Sequence, residues 1–348
     1  EINWLDLPDH ILSLIADLLN REKDLIHFGA VCHPWQSVCI DTLTRRRSHR
    51  LPLLMFATEY YQDDQTRSFY NLTDSTVYDA QVQVPHNMHC PGSSHGWLFT
   101  VCPKTFKVPF LSSNNEITLP PLTAFQHGFV GDNILENFYV GFLEKAVLSS
   151  NPASDPNYVI MAINNGSYKL AFYKPGDNVW TSLDSRFVRI VDIIYYRDRF
   201  YVINREGQVF SFDFNHEEAP KVSTIALHPP EGVRADQRYL VESSGYLLQL
   251  DPIEQKWVEL DNLGGRILFL GHNTSLSVSA SDFPECKPNS IYFTDDYYDG
   301  YYEESGFGGH DMGVYDLKNR TIEWHYPTEA KWIYPPPVWI ERPLRWNL

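Results

Sequence analysis

A chain of 348 residues with 43% hydrophobic and 14% aromatic content has material for one large core or two smaller ones, and is too apolar for a disordered polypeptide. Its formal charge of −16 would repel a phosphate backbone, which sets nucleic acid aside as a partner. No apolar run approaches the roughly 18 residues that a membrane-spanning helix needs, so no membrane partner is expected.

Nothing near the start reads as a signal peptide, although Glu1 is not a natural first residue and a removed leader stays open. Cys32, Cys39, Cys90, Cys102 and Cys286 are few, odd in number and irregularly spaced, which fits free thiols in a reducing compartment.

The first 44 residues read as helical. Leu7, Ile11, Leu14, Ile15, Leu18 and Leu19 recur at three- and four-residue steps, the spacing of one helix face. Pro8 suits the first turn, where its missing N–H would have had no partner. This helix should stop near Asn20. Asp24 is a suitable N-cap for a second helix through Leu25, Phe28, Val31 and Cys32. Pro34 ends that helix and opens a third, carrying Trp35, Val38 and Leu43. Three short helices bury their own apolar faces poorly, so the unit wants a partner surface. The basic run Arg45-Arg46-Arg47-Ser48-His49-Arg50 follows as a junction over 45–52, or as the end of the third helix, with nuclear import as a competing reading.

From Leu51 the helical period disappears. Short runs rich in Val, Ile, Tyr, Phe and Trp alternate with Gly, Asn, Asp and Pro turns. A strand–turn–strand unit repeats at Leu170–Leu183, Leu247–Leu260 and Val314–Trp324, and less clearly at Ser68–Val77, Pro109–Ile117 and Val209–Phe214 with a return near Val222. Further strand pairs precede several copies, such as Gly96–Thr100 and Ile193–Ile203 with a turn at Arg197-Asp198. Four strands per unit at a period near 40 predict an all-β propeller of six or seven blades over 53–340, with a tail at 341–348. A β-sandwich with irregular hairpins is the competing fold. The stretches 123–144 and 271–312 are too long for one blade and read as loops or insertions.

Two resemblances follow from these residues. Leu7-Pro8-x-x-Ile11-Leu12, Asp24-Leu25 and Val31-Cys32-x-x-Trp35 resemble the F-box, with His33-Pro34 departing from the basic or small residue usual after the cysteine. The resemblance implies docking on a Skp-type adaptor and, through it, a cullin. Leu7, Pro8, Ile11, Leu12, Val31 and Cys32 would then face the adaptor, with Trp35 beside them or in the core. Ser94–Leu98, Tyr168–Tyr173, Asp192–Tyr196, Asn289–Asp296 and Gly313–Leu317 resemble the plant KIB-type β-propeller, commonly fused behind an F-box. Together they imply a non-catalytic substrate receptor of a Skp–cullin–F-box ubiquitin ligase, acting in nucleus and cytoplasm. In one branch of that family the target is a shaggy-type kinase in brassinosteroid signalling.

Other motifs are weighed on their own chemistry. Gly92-Ser93-Ser94-His95-Gly96 has the spacing of a nucleophile elbow, but that elbow needs a helix after it, and strand-like Trp97-Leu98-Phe99 follows. It reads as a turn. His86, His89, Cys90 and His95, with Cys102, lack paired metal-ligand spacing, so no metal and no cofactor is expected. Asp295-Asp296-Tyr297-Tyr298-Asp299-Gly300-Tyr301-Tyr302-Glu303-Glu304 is acidic and aromatic ahead of a Gly-rich run at 305–309. One reading makes Asp295, Asp296, Tyr297, Tyr298, Tyr301 and Tyr302 a recognition loop for a basic target. The other makes it a solvated insertion. Calcium fails on spacing. The tail segment Tyr334-Pro335-Pro336-Pro337-Val338-Trp339 is stiff and extended; it either closes the last blade or binds a partner, and closure is the more economical use. Three functions stay open: a scaffold for ubiquitin transfer, a propeller binding a small ligand or glycan with the F-box serving self-turnover, and a hydrolase.

Overall fold

The computed structural model describes residues 7–19, 22–48, 51–56, 66–72, 75–81, 84, 89–101, 108–111, 116–120, 143–164, 169–183, 186–187, 189–215, 219–227, 237–247, 250–251, 256–257, 260–273, 275–294, 312–323 and 337–341. The chain divides into two compact units, 1–50 and 51–348. The helical unit therefore extends past 44 and takes in the basic run.

Three helices make the first unit: α1 (Asp9–Leu18), α2 (Glu22–Gly29) and α3 (His33–Ser48). Pro8 sits at the cap of α1 with extended backbone, and its carbonyl accepts the N–H groups of Ile11 at 2.9 Å and Leu12 at 3.1 Å. Asp24 is not the cap of α2 but lies inside its first turn, where a carboxylate still complements the helix dipole. Pro34 is the second residue of α3, as its fixed φ favours. Arg45–Arg47 fall in the last turns of α3.

The second unit is built from sheets whose strands pair antiparallel, with one parallel pair in the last sheet. The first blade takes Leu53–Phe56, Thr66–Asn71 and Thr76–Gln81. The second takes His89–Ser94, Trp97–Val101, Val108–Leu111 and Glu116–Leu119. Lys145–Leu148, Ile160–Asn164, Lys169–Tyr173 and Thr181–Ser182 form the third. Ile190–Tyr196, Arg199–Asn204, Val209–Asp213 and Lys221–Ala226 form the fourth. Two hairpins follow, Glu242–Ser243 with Tyr246–Leu247 and Leu250–Asp251 with Lys256–Trp257. The last sheet has five strands, in the order Leu276–Ser279, Arg266–Leu270, Ser290–Phe293, Gly313–Asp316, Thr321–Glu323. Regular four-stranded blades thus number four among the described residues, against the six or seven expected; a five-stranded sheet and two hairpins make up the rest.

All six repeat units expected as strand–turn–strand are antiparallel pairs here. Of the two long stretches, residues 123–142 lie outside the described residues, and 271–312 includes the strands Leu276–Ser279 and Ser290–Phe293, the latter parallel to Arg266–Leu270. One expectation needs correction. The tail closes the first blade and not the last, because Val338–Ile340 pairs antiparallel with Leu53–Phe56.

The core is a series of seams between neighbouring sheets. One seam joins the first and second blades through Leu53, Met55, Phe69, Cys90 and Leu98. Phe99, Ala146, Ile160 and Trp180 join the second and third. Met161, Phe172, Ile193 and Phe212 join the third and fourth. A further seam packs Leu54, Phe56 and Trp339 against Ile267, Phe269 and Tyr292, so the five-stranded sheet meets the first blade. This explains the strand compositions. Leu53–Phe56, Trp97–Val101 and Ile160–Asn164 are buried at every position and are apolar apart from Thr100 and Asn164, because neighbours cover both of their faces. Outer strands such as Thr321–Glu323 are exposed throughout.

Candidate adaptor-docking surface

The helical unit has a small closed core and an apolar surface left over. Leu12, Ala16, Leu25, Phe28, Val38 and Cys39 are enclosed, with Leu7, Ile15, Leu19 and Trp35 packed at the edge. The contact of α2 with α3 is close: a Cβ on Gly29 would sit 2.7 Å from both Cβ and Sγ of Cys39, so only glycine fits there. The Cys39 thiol donates to the Leu25 carbonyl at 3.1 Å. Phe28 and Trp35 rings lie 4.5 Å apart, and the Trp35 indole N–H is buried with no acceptor among the described residues.

What the core does not take up is exposed: Leu14 by 61%, Leu18 by 80%, Val31 by 51% and Ile40 by 55%. On α1, Ile11, Leu14 and Leu18 stand one above the next at helical spacing and form a stripe distinct from the inward Leu12 and Ala16. The six residues that periodicity placed on one face therefore divide. Ile15 and Leu19 turn toward the core, while Leu14 and Leu18 face outward.

The residues expected to meet an adaptor fall in three groups. Pro8 and Val31 are exposed, and Leu7, Ile11, Cys32 and Trp35 are partly exposed. Leu12 is wholly enclosed at 0% and supplies no surface; it holds α1 in place. Sequence reasoning missed Leu14, Leu18 and Ile40 as outward residues. For Leu14 and Leu18 the available signal was an apolar arc on α1 too broad for one buried face.

The other motifs resolve structurally. Gly92–Gly96 spans the end of one strand and a turn, with His95 at φ 54° and Gly96 at φ 77°, and Trp97 opens the next strand. It is strand–turn–strand, with no helix to carry a nucleophile elbow. Cys90 is buried, and burial pushes its thiol up to about 11. His95 is exposed on the turn, and burial of its surroundings holds its imidazole below the usual range. His86 and Cys102 lie outside the described residues, as do Asp295, Asp296, Tyr297, Tyr298, Tyr301 and Tyr302. Asn273, which opens an Asn-x-Ser sequence at 273–275, is wholly buried. No helix among the described residues is long and apolar enough to cross a membrane.

Comparison with known proteins completes the picture. A family model described as KIB1-4 beta-propeller matches residues 69–316. The chain belongs to this family. An F-box-like model matches residues 4–50, the helical unit. F-box protein SKIP23 of Arabidopsis thaliana is 26% identical over 97% of this chain and 96% of its own length. F-box/kelch-repeat protein At1g64840 of the same plant is 23% identical over 84% of this chain and 85% of its own. An F-box-like unit joined to a family propeller supports a substrate-receptor role in a Skp–cullin–F-box ligase.

Proposed function

We propose that this chain is the substrate receptor of a Skp–cullin–F-box ubiquitin ligase. Its helices dock on a Skp-type adaptor, and its propeller holds the protein to be modified for degradation. The single observation that carries the docking half is the stripe on α1: Leu14 and Leu18 stay in water although the unit's core is already closed without them. Such a row is costly on a free surface and ordinary in an interface. The chemistry is proximity. The receptor raises the effective concentration of a target lysine near a charged conjugating enzyme and supplies no nucleophile of its own.

The test uses charge. Leu14→Glu with Leu18→Glu should abolish co-purification with a recombinant Skp-type adaptor while leaving the thermal unfolding midpoint unchanged, because neither side chain supports the core. Retained co-purification would end this reading. On the target side, the family resemblance makes a shaggy-type kinase the first protein to assay, in the nucleus and the cytoplasm. Deleting the helical unit, residues 1–50, should leave its capture intact and stop its turnover.

A further inference from the structure

We propose that Arg197 and Tyr246 form the centre of a target-binding surface on the propeller, and that this surface takes an acidic segment of the bound protein. The proposal deepens the receptor reading and rests on it.

Two tight turns from neighbouring sheets meet here. Ile190–Tyr196 turns into Arg199–Asn204 through Arg197 and Asp198, and Glu242–Ser243 turns into Tyr246–Leu247 through Ser244 and Gly245. The Gly245 carbonyl accepts two hydrogen bonds from the first turn, one from the Tyr196 hydroxyl and one from Arg197 Nη2 at 2.9 Å. The Gly245 N–H donates to Glu242 Oε1 at 2.6 Å. The Arg197 guanidinium lies 5.1 Å from the centre of the Tyr196 ring. It is therefore held by its face and by one edge before any partner arrives, so little side-chain freedom is left to lose on binding.

Three features point to use by a partner. First, Arg197 and Asp198 adopt φ 45° and 59°. Both centres of such a turn favour Asn, Asp or Gly, so a bulky arginine at the first is the wrong choice for turn geometry alone. Strained residues of this kind concentrate at functional positions. Second, Tyr246, beside the accepting carbonyl, is 60% exposed. An exposed tyrosine next to a pre-positioned arginine is the composition of an interface hot spot. Third, of the nearby charges Arg199 pairs with Asp213 at 3.4 Å and Glu242 takes the Gly245 N–H, while exposed Asp198 follows Arg197 in the same turn. The remaining Arg197 donors meet no acceptor among the described residues. Their planar fork matches a carboxylate. On a chain of net charge −16 such a cation selects locally, admitting an acidic side chain where the general field disfavours it.

The experiment uses the full chain bound to its Skp-type adaptor, offered a random peptide library displayed on phage. Selected peptides should be enriched in Asp and Glu by about tenfold over the input. Arg197→Gln should erase that enrichment, Arg197→Lys should keep part of it, and Tyr246→Ala should lower it several-fold. Because Arg197 also braces the joint between the turns, thermal unfolding is recorded for each variant. Tyr246 takes part in neither bond to Gly245, so its variant decides the question if Arg197→Gln unfolds. No acidic preference in the wild type, or an unchanged preference in the variants, overturns the proposal. Capture of a synthetic peptide of residues 295–304 in place of library sequences overturns it too, by assigning the surface to the chain's own acidic segment. Failure of the adaptor to co-purify from the same preparation counts against the receptor reading alone, since the peptide selection still judges the surface.

Discussion

The two units solve opposite problems with the same apolar residue types. In the propeller, each inner strand is covered on both faces by neighbours, and exposed apolar side chains such as Val77, Val222 and Ile322 are pushed out to the outermost strands. They lie singly and need no explanation. In the helical unit, Leu14 and Leu18 lie on α1 itself, the helix whose opposite side makes the core. A sheet that goes on adding neighbours consumes its apolar surface. Three helices run out of partners first. Apolar exposure is therefore informative on the helical unit and incidental on the propeller's outermost strands.

The largest effect should come from breaking the propeller's most enclosed polar link. Lys145 and Asp192 form an ion pair with side chains only 3% and 1% exposed. Asp192 also accepts the backbone N–H groups of Ile193 at 2.9 Å and Leu240 at 2.5 Å, so one carboxylate ties the third and fourth blades to the segment that leads into the next hairpin. Asp192→Ala strands a buried ammonium and two buried N–H groups, and should cost about 3–5 kcal/mol in urea unfolding. Replacing both partners by apolar residues should recover only part of this, because the two backbone donors stay unmet. Full recovery would show that the pair acts alone and that the blades do not depend on the carboxylate.

Next comes a direct test of the contrast within the helices. Leu25→Ala empties a wholly buried site and should lower stability by about 2–5 kcal/mol. Leu14→Ala should change stability by no more than about 0.5 kcal/mol. Adaptor affinity should respond in the reverse sense: Leu14→Ala weakens it by about 1–3 kcal/mol, as expected for losing an exposed leucine that becomes buried in the complex. Titration calorimetry against the recombinant adaptor, paired with unfolding curves, reads both. Equal stability losses for the two variants would remove the distinction between core and surface on which the docking argument stands.

These regions also differ in how far the sequence made them legible. The six outer hairpins were readable because each is a local event, two apolar runs around a polar turn, as at Leu170–Leu183. The pairing of Val338–Ile340 with Leu53–Phe56 joins the two ends of the propeller unit, and no local pattern reports a partner so distant. The parallel pairing of Arg266–Leu270 with Ser290–Phe293 was hidden likewise, since a strand's composition does not announce its neighbour's direction. On α1 the three- and four-residue steps located the helix. They did not decide which leucines face inward, because Leu14 and Ile15, or Leu18 and Leu19, satisfy the same rule. Leu12, matched by motif as a docking residue, turned out to be the centre of the core for that reason. The acidic, tyrosine-rich stretch at 295–302 was legible only as composition.

The smallest effect concerns the closing strand. Glu341 follows Val338–Ile340, and its carboxylate accepts the backbone N–H groups of His95 and Gly96 on the turn of the second blade. Burial raises its pKa above the ordinary glutamate value, and the two N–H groups oppose that rise without cancelling it. The sign follows from linkage: a carboxyl whose folded value lies above its unfolded one binds its proton more tightly in the folded chain. Its contribution to stability is full below the unfolded value, about 4.3, and is lost as pH rises through the folded value. Glu341→Gln keeps an oxygen that accepts an N–H but cannot ionise. The variant and the wild type should melt together at acid pH, where Glu341 is protonated. As pH rises to neutrality the variant should melt progressively higher than the wild type. A difference that does not change between these limits would mean that the carboxylate is not held at the closing turn, and that the strand pairing of Val338–Ile340 with Leu53–Phe56 alone ties the end of the propeller to its beginning.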